Sequence, residues 1–231
     1  MAGTSLTPSF AELPTTLPIF PLTGVLLLPR GKLPLNIFEP RYLNMTGDAL
    51  AGARLIGMVQ PSGAAEGAET QGSEAPPVYA PPVYSTGCAG RITSYNETED
   101  GRFLITLTGV ARFDIKEEVE TVRGYRRVVP DWSRFKGDLA EASEAKVDRP
   151  RLLAGLQAFF KLHSITADWE AITSTPDERL VTSLAMICPF APNEKQALLE
   201  ASDLTERSRV MTALIEMAVL RRPADGDAAR H

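Results

Sequence analysis

LPIFPLTGVLLLPRGKLPLNIFEPRY, residues 17–42, cuts short apolar runs with prolines and closes on Phe38-Glu39-Pro40-Arg41-Tyr42. Such runs predict strands at Leu17 to Phe20, Val25 to Leu28 and Leu33 to Phe38, with prolines at ends or edges because they cannot donate to a ladder. Pro40 fits the first turn of a helix, where its missing N–H would be unpaired anyway. Tyr42, Leu43, Met45, Ala49 and Leu50 then give a helical stripe as far as Gly52.

Working outward, the first twelve residues are rich in Thr, Ser and Pro and read as a flexible terminus. A strand is expected at Arg54 to Gln60, stopped by Pro61. From Ser62 to Pro77 no large apolar residue occurs, so 62–82 reads as a flexible insertion with nothing to bury. Within its end, Pro76 to Tyr84 repeats PPVY, either a polyproline segment for a partner's aromatic groove or an extended lead into the next strand. Strands follow at Cys88 to Tyr95, Phe103 to Leu107, Ala111 to Val122 and Tyr125 to Pro130, with Asp100-Gly101 marking a hairpin. Many short strands with Gly and Pro turns indicate a closed or nearly closed β structure.

Beyond Gly137 the apolar period lengthens to three and four. Leu152, Leu156, Phe159, Phe160 and His163 share a helical face. A second helix is expected behind a Ser174 or Thr175 cap, with Pro176 first, Glu178 returning to the cap, and Leu180, Leu184 and Ile187 inward. A third covers Asn193 to Ala201. The fourth starts at Asp203-Leu204-Thr205-Glu206, with Val210, Met211, Leu214, Ile215 and Ala218 inward, Arg221 and Arg222 at its negative end and Pro223 after it.

The chain has 231 residues, 44% of them hydrophobic and 23% charged, enough for one large core or two modest ones. Its net charge is -5, split as -2 before residue 135 and -3 after it, so neither half carries a basic field for a phosphate backbone. No apolar stretch approaches the ~18 residues that span a bilayer, and the start lacks a charged leader, so a cytoplasmic location without membrane contact is expected. Cys88 and Cys188 lie outside any Cys-x-x-Cys pattern and read as core residues. His163 and His231 are far apart, and no metal cluster has the required spacing.

Pro21-Leu22 and the block Pro34 to Tyr42 resemble, in order, the opening signature of the amino-terminal, substrate-binding domain of Lon proteases. Glu194 to Glu200 (EKQALLE) followed by Glu206-Arg207 resembles that family's helical part. Gly87, Gly101-Arg102 and Gly109 to Phe113 resemble its PUA-like barrel, a fold also seen in cereblon. The resemblance runs from Leu13 to Leu220 and implies an α+β fold: a PUA-like β-barrel with a short helix over 13–135, then a bundle of about four helices over 136–222 and a flexible tail over 223–231.

No Gly-x-x-x-x-Gly-Lys-Ser/Thr occurs, since Gly31-Lys32 is followed by Leu33, and 223–231 leaves no room for a Ser-Lys protease domain. The expectation is therefore a stand-alone, non-enzymatic module without catalytic residues or cofactor. The resemblance implies unfolded or degron-bearing polypeptides as partners, with a separate protease or chaperone if the chain acts as an adaptor through 62–82. Peptide-binding candidates are Phe20, Leu22, Phe38 and Tyr42, with Pro21, Pro34, Glu39, Pro40 and Arg41 as structural motif residues and Glu39 and Arg41 as an ion pair at the helix start. RNA binding is the alternative, through stacking on Tyr125 and phosphate contacts from Arg123, Arg126 and Arg127. An edge strand guarded by charge explains those four residues without RNA.

Overall fold

The protein is described here by a computed structural model covering residues 9–63, 81–120, 123–140 and 145–221. Most of the expected flexible terminus, most of the 62–82 insertion with the first PPVY, and the 223–231 tail lie outside those residues.

The strands β1 (Leu17–Pro21), β2 (Lys32–Ile37), β3 (Leu55–Val59), β4 (Thr86–Glu97), β5 (Phe103–Val119) and β6 (Arg126–Asp131) form one sheet in the order β2-β5-β4-β3-β1-β6. A further β5–β6 pairing closes all but β2 into a barrel. Closure is possible because β5 is long enough to serve two partners: Phe103 to Thr108 pair with β2, and Asp114 to Val119 with β6. The Asp100-Gly101 hairpin forms as expected, with Gly101 at φ 79° and its N–H donating to Thr98 O.

Both faces of the barrel wall are covered, so β3 is buried at every residue and reads as a continuous apolar run. Leu17, Ile19, Leu55, Val59, Phe113 and Val128 pack inside, and Phe113 meets Trp132 edge-on at 5.6 Å. Gly57 and Gly87 make room for that ring, since a Cβ at either would lie within 2.8 Å of it. The outer face carries Phe20, Ile56, Met58 and Leu107, which pack on α1 (Pro40–Ala51) and on the helical half in a single core.

Five helices complete the α+β fold: α2 (Arg149–Leu162), α3 (Trp169–Ser174), α4 (Asp177–Ile187), α5 (Pro192–Glu200) and α6 (Leu204–Leu220). The extra one is α3, which has six residues and buries none of them, so no apolar period announces it. It also alters the start of α4. Thr175, expected as a cap, instead donates its hydroxyl to Ala171 O at the end of α3, and Pro176 stands at the cap position of α4 without a side-chain bond. Asp203 does cap α6, accepting from Glu206 N.

Two other expectations change. Residues 25–28 are not a strand; Leu26, Leu27 and Leu28 enter the core as a loop, all under 4% exposed. The two strands expected at 103–107 and 111–122 are the single strand β5, running through Gly109. That glycine is where the loop crosses the strand: Gly109 N donates to Gly31 O, Arg30 N donates to Gly109 O, and an added Cβ would stand 1.9 Å from Leu28 O.

The EKQALLE element is the staple between the halves. Lys195 and Gln196 on α5 are buried, Lys195 Nζ donating to Gly24 O at 2.8 Å and Gln196 to Thr86 O at 3.2 Å and Glu200 at 2.7 Å. Gln60 joins from the end of β3, donating to Pro192 O and Gln196 and accepting from Gly24 N.

Gly109→Ala is expected to lower unfolding stability by about 2–3 kcal/mol or more, because backbone must move. Gly47→Ala, inside α1 with nothing near the added methyl, is expected to raise it by about 0.5–1 kcal/mol. Urea unfolding of the two variants checks the pair.

Candidate functional site

The matched block places its residues on two different surfaces. Phe20 and Tyr42 are each 7% exposed and stack at 4.2 Å, which puts both in the core between β1 and α1. Leu22 is half-buried against the same core, its N–H donating to Val59 O. Phe38 is 60% exposed, with the Arg102 guanidinium 5.8 Å from its ring centre. Glu39 and Arg41 pair at 2.8 Å beside Pro40, the first residue of α1. Pro21 ends β1, and Pro34 lies in the middle of β2, which pairs only with β5 among the described strands. A proline in that position is compatible with an edge strand and with no other.

The arginine and tyrosine set is largely engaged within the chain. Tyr125 is 8% exposed and donates its hydroxyl to Asp48 at 2.7 Å. Arg123 is held by Asp48 and Asn44, and Arg126 by Glu118 and Pro81 O. Burial of the ring withdraws the stacking face that a base would use, and two of the three arginines are paired internally.

The open ground between barrel and helices is a groove where the loop before β2 meets α4. Met186 and Ile187 give a cavity of 440 Å³ its apolar floor, and Arg30, Lys32, Glu178 and Arg179 stand around it with Gly31, Thr182 and Ser183. Ile187, expected to point inward, is 72% exposed because α4 ends there and its buried face is Leu180, Val181, Leu184 and Ala185. Gly31 lies against Met186; a Cβ there would be 2.4 Å from the sulfur. From this groove the edge of β2 left unpaired among the described strands leads to Phe38, about 20 Å away at the usual strand rise.

A second cavity, of 330 Å³, adjoins the groove and shares Arg30, Glu178 and Thr182 with it. The Arg30–Glu178 ion pair forms the ridge between them. At the base of this cleft Arg112, 3% exposed, binds Asp138 through Nε (2.9 Å) and Nη2 (2.7 Å), and donates to Leu199 O, Ala201 O and Ser202 O. Its plane lies over Phe135 at 4.3 Å. Beside it, Arg207 is 6% exposed; Nε donates to Leu198 O and Nη2 has no partner among the described residues. Burial and the Arg112 cation bring the Arg207 pKa down to about 10.

Both arginines lie in stretches the family signature covers, Gly109 to Phe113 and Glu206-Arg207, yet spacing alone gives neither a role. Ile187 and Met186 are missed for a different reason: an exposed apolar residue at a helix end has the same spacing as a buried one.

No helix among the described residues is long and apolar enough to cross a membrane. Among those residues no group of three or more His, Cys, Asp or Glu could hold a metal ion.

A closed barrel thus shares its core with a helical bundle, and a groove and an edge of β2 that is unpaired among the described residues lie beside their junction. Residues 16–216 match the family described as the ATP-dependent protease La (LON) substrate-binding domain, and the chain belongs to it. It is 24% identical to the Lon protease of Dictyoglomus thermophilum over 212 residues, 87% of this chain but 24% of that protein. To the Lon protease of Flavobacterium johnsoniae it is 24% identical over 200 residues, covering 85% and 23% respectively. The chain thus spans about a quarter of the length of these relatives. Its fold is that of a Lon N-terminal domain protein from Xanthomonas campestris (TM-score 0.55, 22% identity, 86% of this chain and 98% of that one). It is likewise that of the N-terminal domain of a Mycobacterium avium complex Lon protease (0.53, 16%, 87% and 98%).

Arg112→Leu is expected to lower unfolding stability by about 3–5 kcal/mol, because Asp138 and three carbonyls lose their buried partner; chemical denaturation measures it. Cys88 and Cys188 are buried and free. Burial pushes the Cys88 thiol far above its usual range and Cys188 to about 12. Both should resist a thiol reagent at pH 8 until the chain unfolds. Because only the unfolded thiols ionise near pH 9, their linkage should make stability fall as pH rises above that value, seen as a falling denaturation midpoint.

Proposed function

We propose that this chain holds extended, unfolded or degron-bearing polypeptide segments in the groove between the Gly31 loop and α4 and along the free edge of β2. The observation that carries this is the continuity of the groove with that edge. An extended segment needs pockets for alternate side chains and a partner for its backbone. Met186 and Ile187 offer the first at one end and Phe38 at the other, while the outward carbonyl and amide groups of β2 offer the second. Pro34 limits how many bonds the edge can make, which suits transient capture and protects the edge from permanent pairing.

A role as an adaptor for a separate protease or chaperone would use the 62–82 segment, most of which lies outside the described residues. Deleting 64–80 and following both peptide binding and association with a candidate protease separates the two activities.

Peptides tiled from unfolded proteins, read by fluorescence anisotropy, test the groove. Ile187→Ser and Phe38→Ala should each weaken capture by about 1–2 kcal/mol, roughly 5- to 30-fold, with the melting temperature nearly unchanged. Phe20→Ala and Tyr42→Ala should instead lower stability by about 3–5 kcal/mol, as buried aromatics do. Wild-type binding that neither surface substitution alters would remove the groove and edge from consideration.

A further inference from the structure

We propose that the arginine cleft beside the groove seats a carboxylate of the bound polypeptide, with the residues next to that carboxylate lying over Met186 and Ile187. This rests on the polypeptide-binding reading and names the chemistry it selects. Around the cleft stand four guanidinium groups, those of Arg30, Arg112, Arg134 and Arg207. Three carboxylates oppose them, from Asp138, Glu178 and Asp203.

The pairings show where the uncompensated charge lies. Arg30 is matched by Glu178 and Arg112 by Asp138, while Arg134 at the mouth, its side chain half-exposed, reaches Asp114 only at 3.5 Å. Asp203 accepts from Glu206 N as the cap of α6. Arg207 forms no ion pair within 4 Å among the described residues; the Asp138 and Asp203 carboxylates act on it from farther off, and its buried Nη2 has no hydrogen-bond partner there. A buried cation in that condition is costly, and an anion beside it restores the balance.

The charge count also selects the ligand. Among the lining residues guanidinium groups outnumber carboxylates by one, and Arg134 has its own partner, Asp114, outside the cleft, so the cation without an ion pair is Arg207. A single such cation suits a monoanion, whereas a phosphate dianion would confront three carboxylates and the carbonyls of Ala140 and Ser202. The geometry favours a group attached to a chain, because the cleft opens past the Arg30–Glu178 ridge into the apolar groove. Each cavity, at 330 and 440 Å³, falls within the range of small-ligand sites, roughly 300–1,000 Å³. A carboxylate with one or two apolar neighbours fills that pair of cavities. Its source is either the carboxy terminus of the polypeptide or an Asp or Glu side chain.

One apolar peptide in three forms tests this on the full chain at pH 7.5: free carboxy terminus, carboxy-terminal amide, and amide with a single Glu as its only carboxylate. Fluorescence anisotropy should show at least one carboxylate form binding about tenfold more tightly than the plain amide, and the stronger of the two identifies the source. Arg207→Met should abolish that ratio. Because Arg207 is buried and the variant could misfold, Arg134→Gln, at the exposed mouth, provides the second reading and should reduce the ratio severalfold. Equal, saturable binding of all three forms would overturn the carboxylate seat and leave the groove standing. No binding of any form would overturn both.

Discussion

The Arg112 guanidinium is the point on which the two halves of this protein depend. It projects from β5, the strand that closes the barrel, and its five N–H donors go to Asp138 and to the carbonyls at the end of α5 and in the turn before α6. Carbonyls at a helix end lack intrahelical partners and carry the negative end of the macrodipole. A cation that satisfies two of them, and the Ser202 carbonyl beyond, from another element fixes where the bundle sits on the barrel. The fork of donors matters as much as the charge, since lysine could not meet the same acceptors in one plane.

The polar staple of Lys195, Gln196 and Gln60 fixes the same junction from its other side, so α5 is bound at both ends. Between these anchors the loop before β2 is pressed against Met186, and the exposed end of α4 is left beside it. The groove is therefore a consequence of rigid docking. Its walls belong to elements held by buried hydrogen bonds, which keeps a shallow apolar surface open without collapse. The cleft next to it follows from the same arrangement, because bringing α6 against β5 places Arg207 beside Arg112 with one carboxylate between two cations.

Much of the fold was legible in the chain. The proline-bounded strands β1 and β2, the Asp-Gly hairpin, the Pro40 helix start and the Asp203 cap are local signals, and each appears where the residues predict it. The exceptions are physical rather than accidental. Leu26 to Leu28 have the composition of a strand, but they meet Gly109 and enter the core as a loop. The short helix α3 buries nothing and so leaves no periodic trace. Thr175 has two helices within reach and bonds to the one behind it.

The candidate site was legible only in part. Phe20, Phe38 and Tyr42 share one motif and the same apolar character, yet the packing of β1 on α1 buries two of them and exposes the third. The sequence by itself determined the class of fold and the family, because strand length, turn chemistry and motif order are properties of neighbours along the chain. Only the tertiary structure decided which apolar residues face solvent, that Tyr125, Arg123 and Arg126 are committed internally, and that Arg112 and Arg207 meet in one cleft. Those outcomes depend on contacts between residues far apart in sequence, and burial and pairing at such distances leave no mark on local spacing.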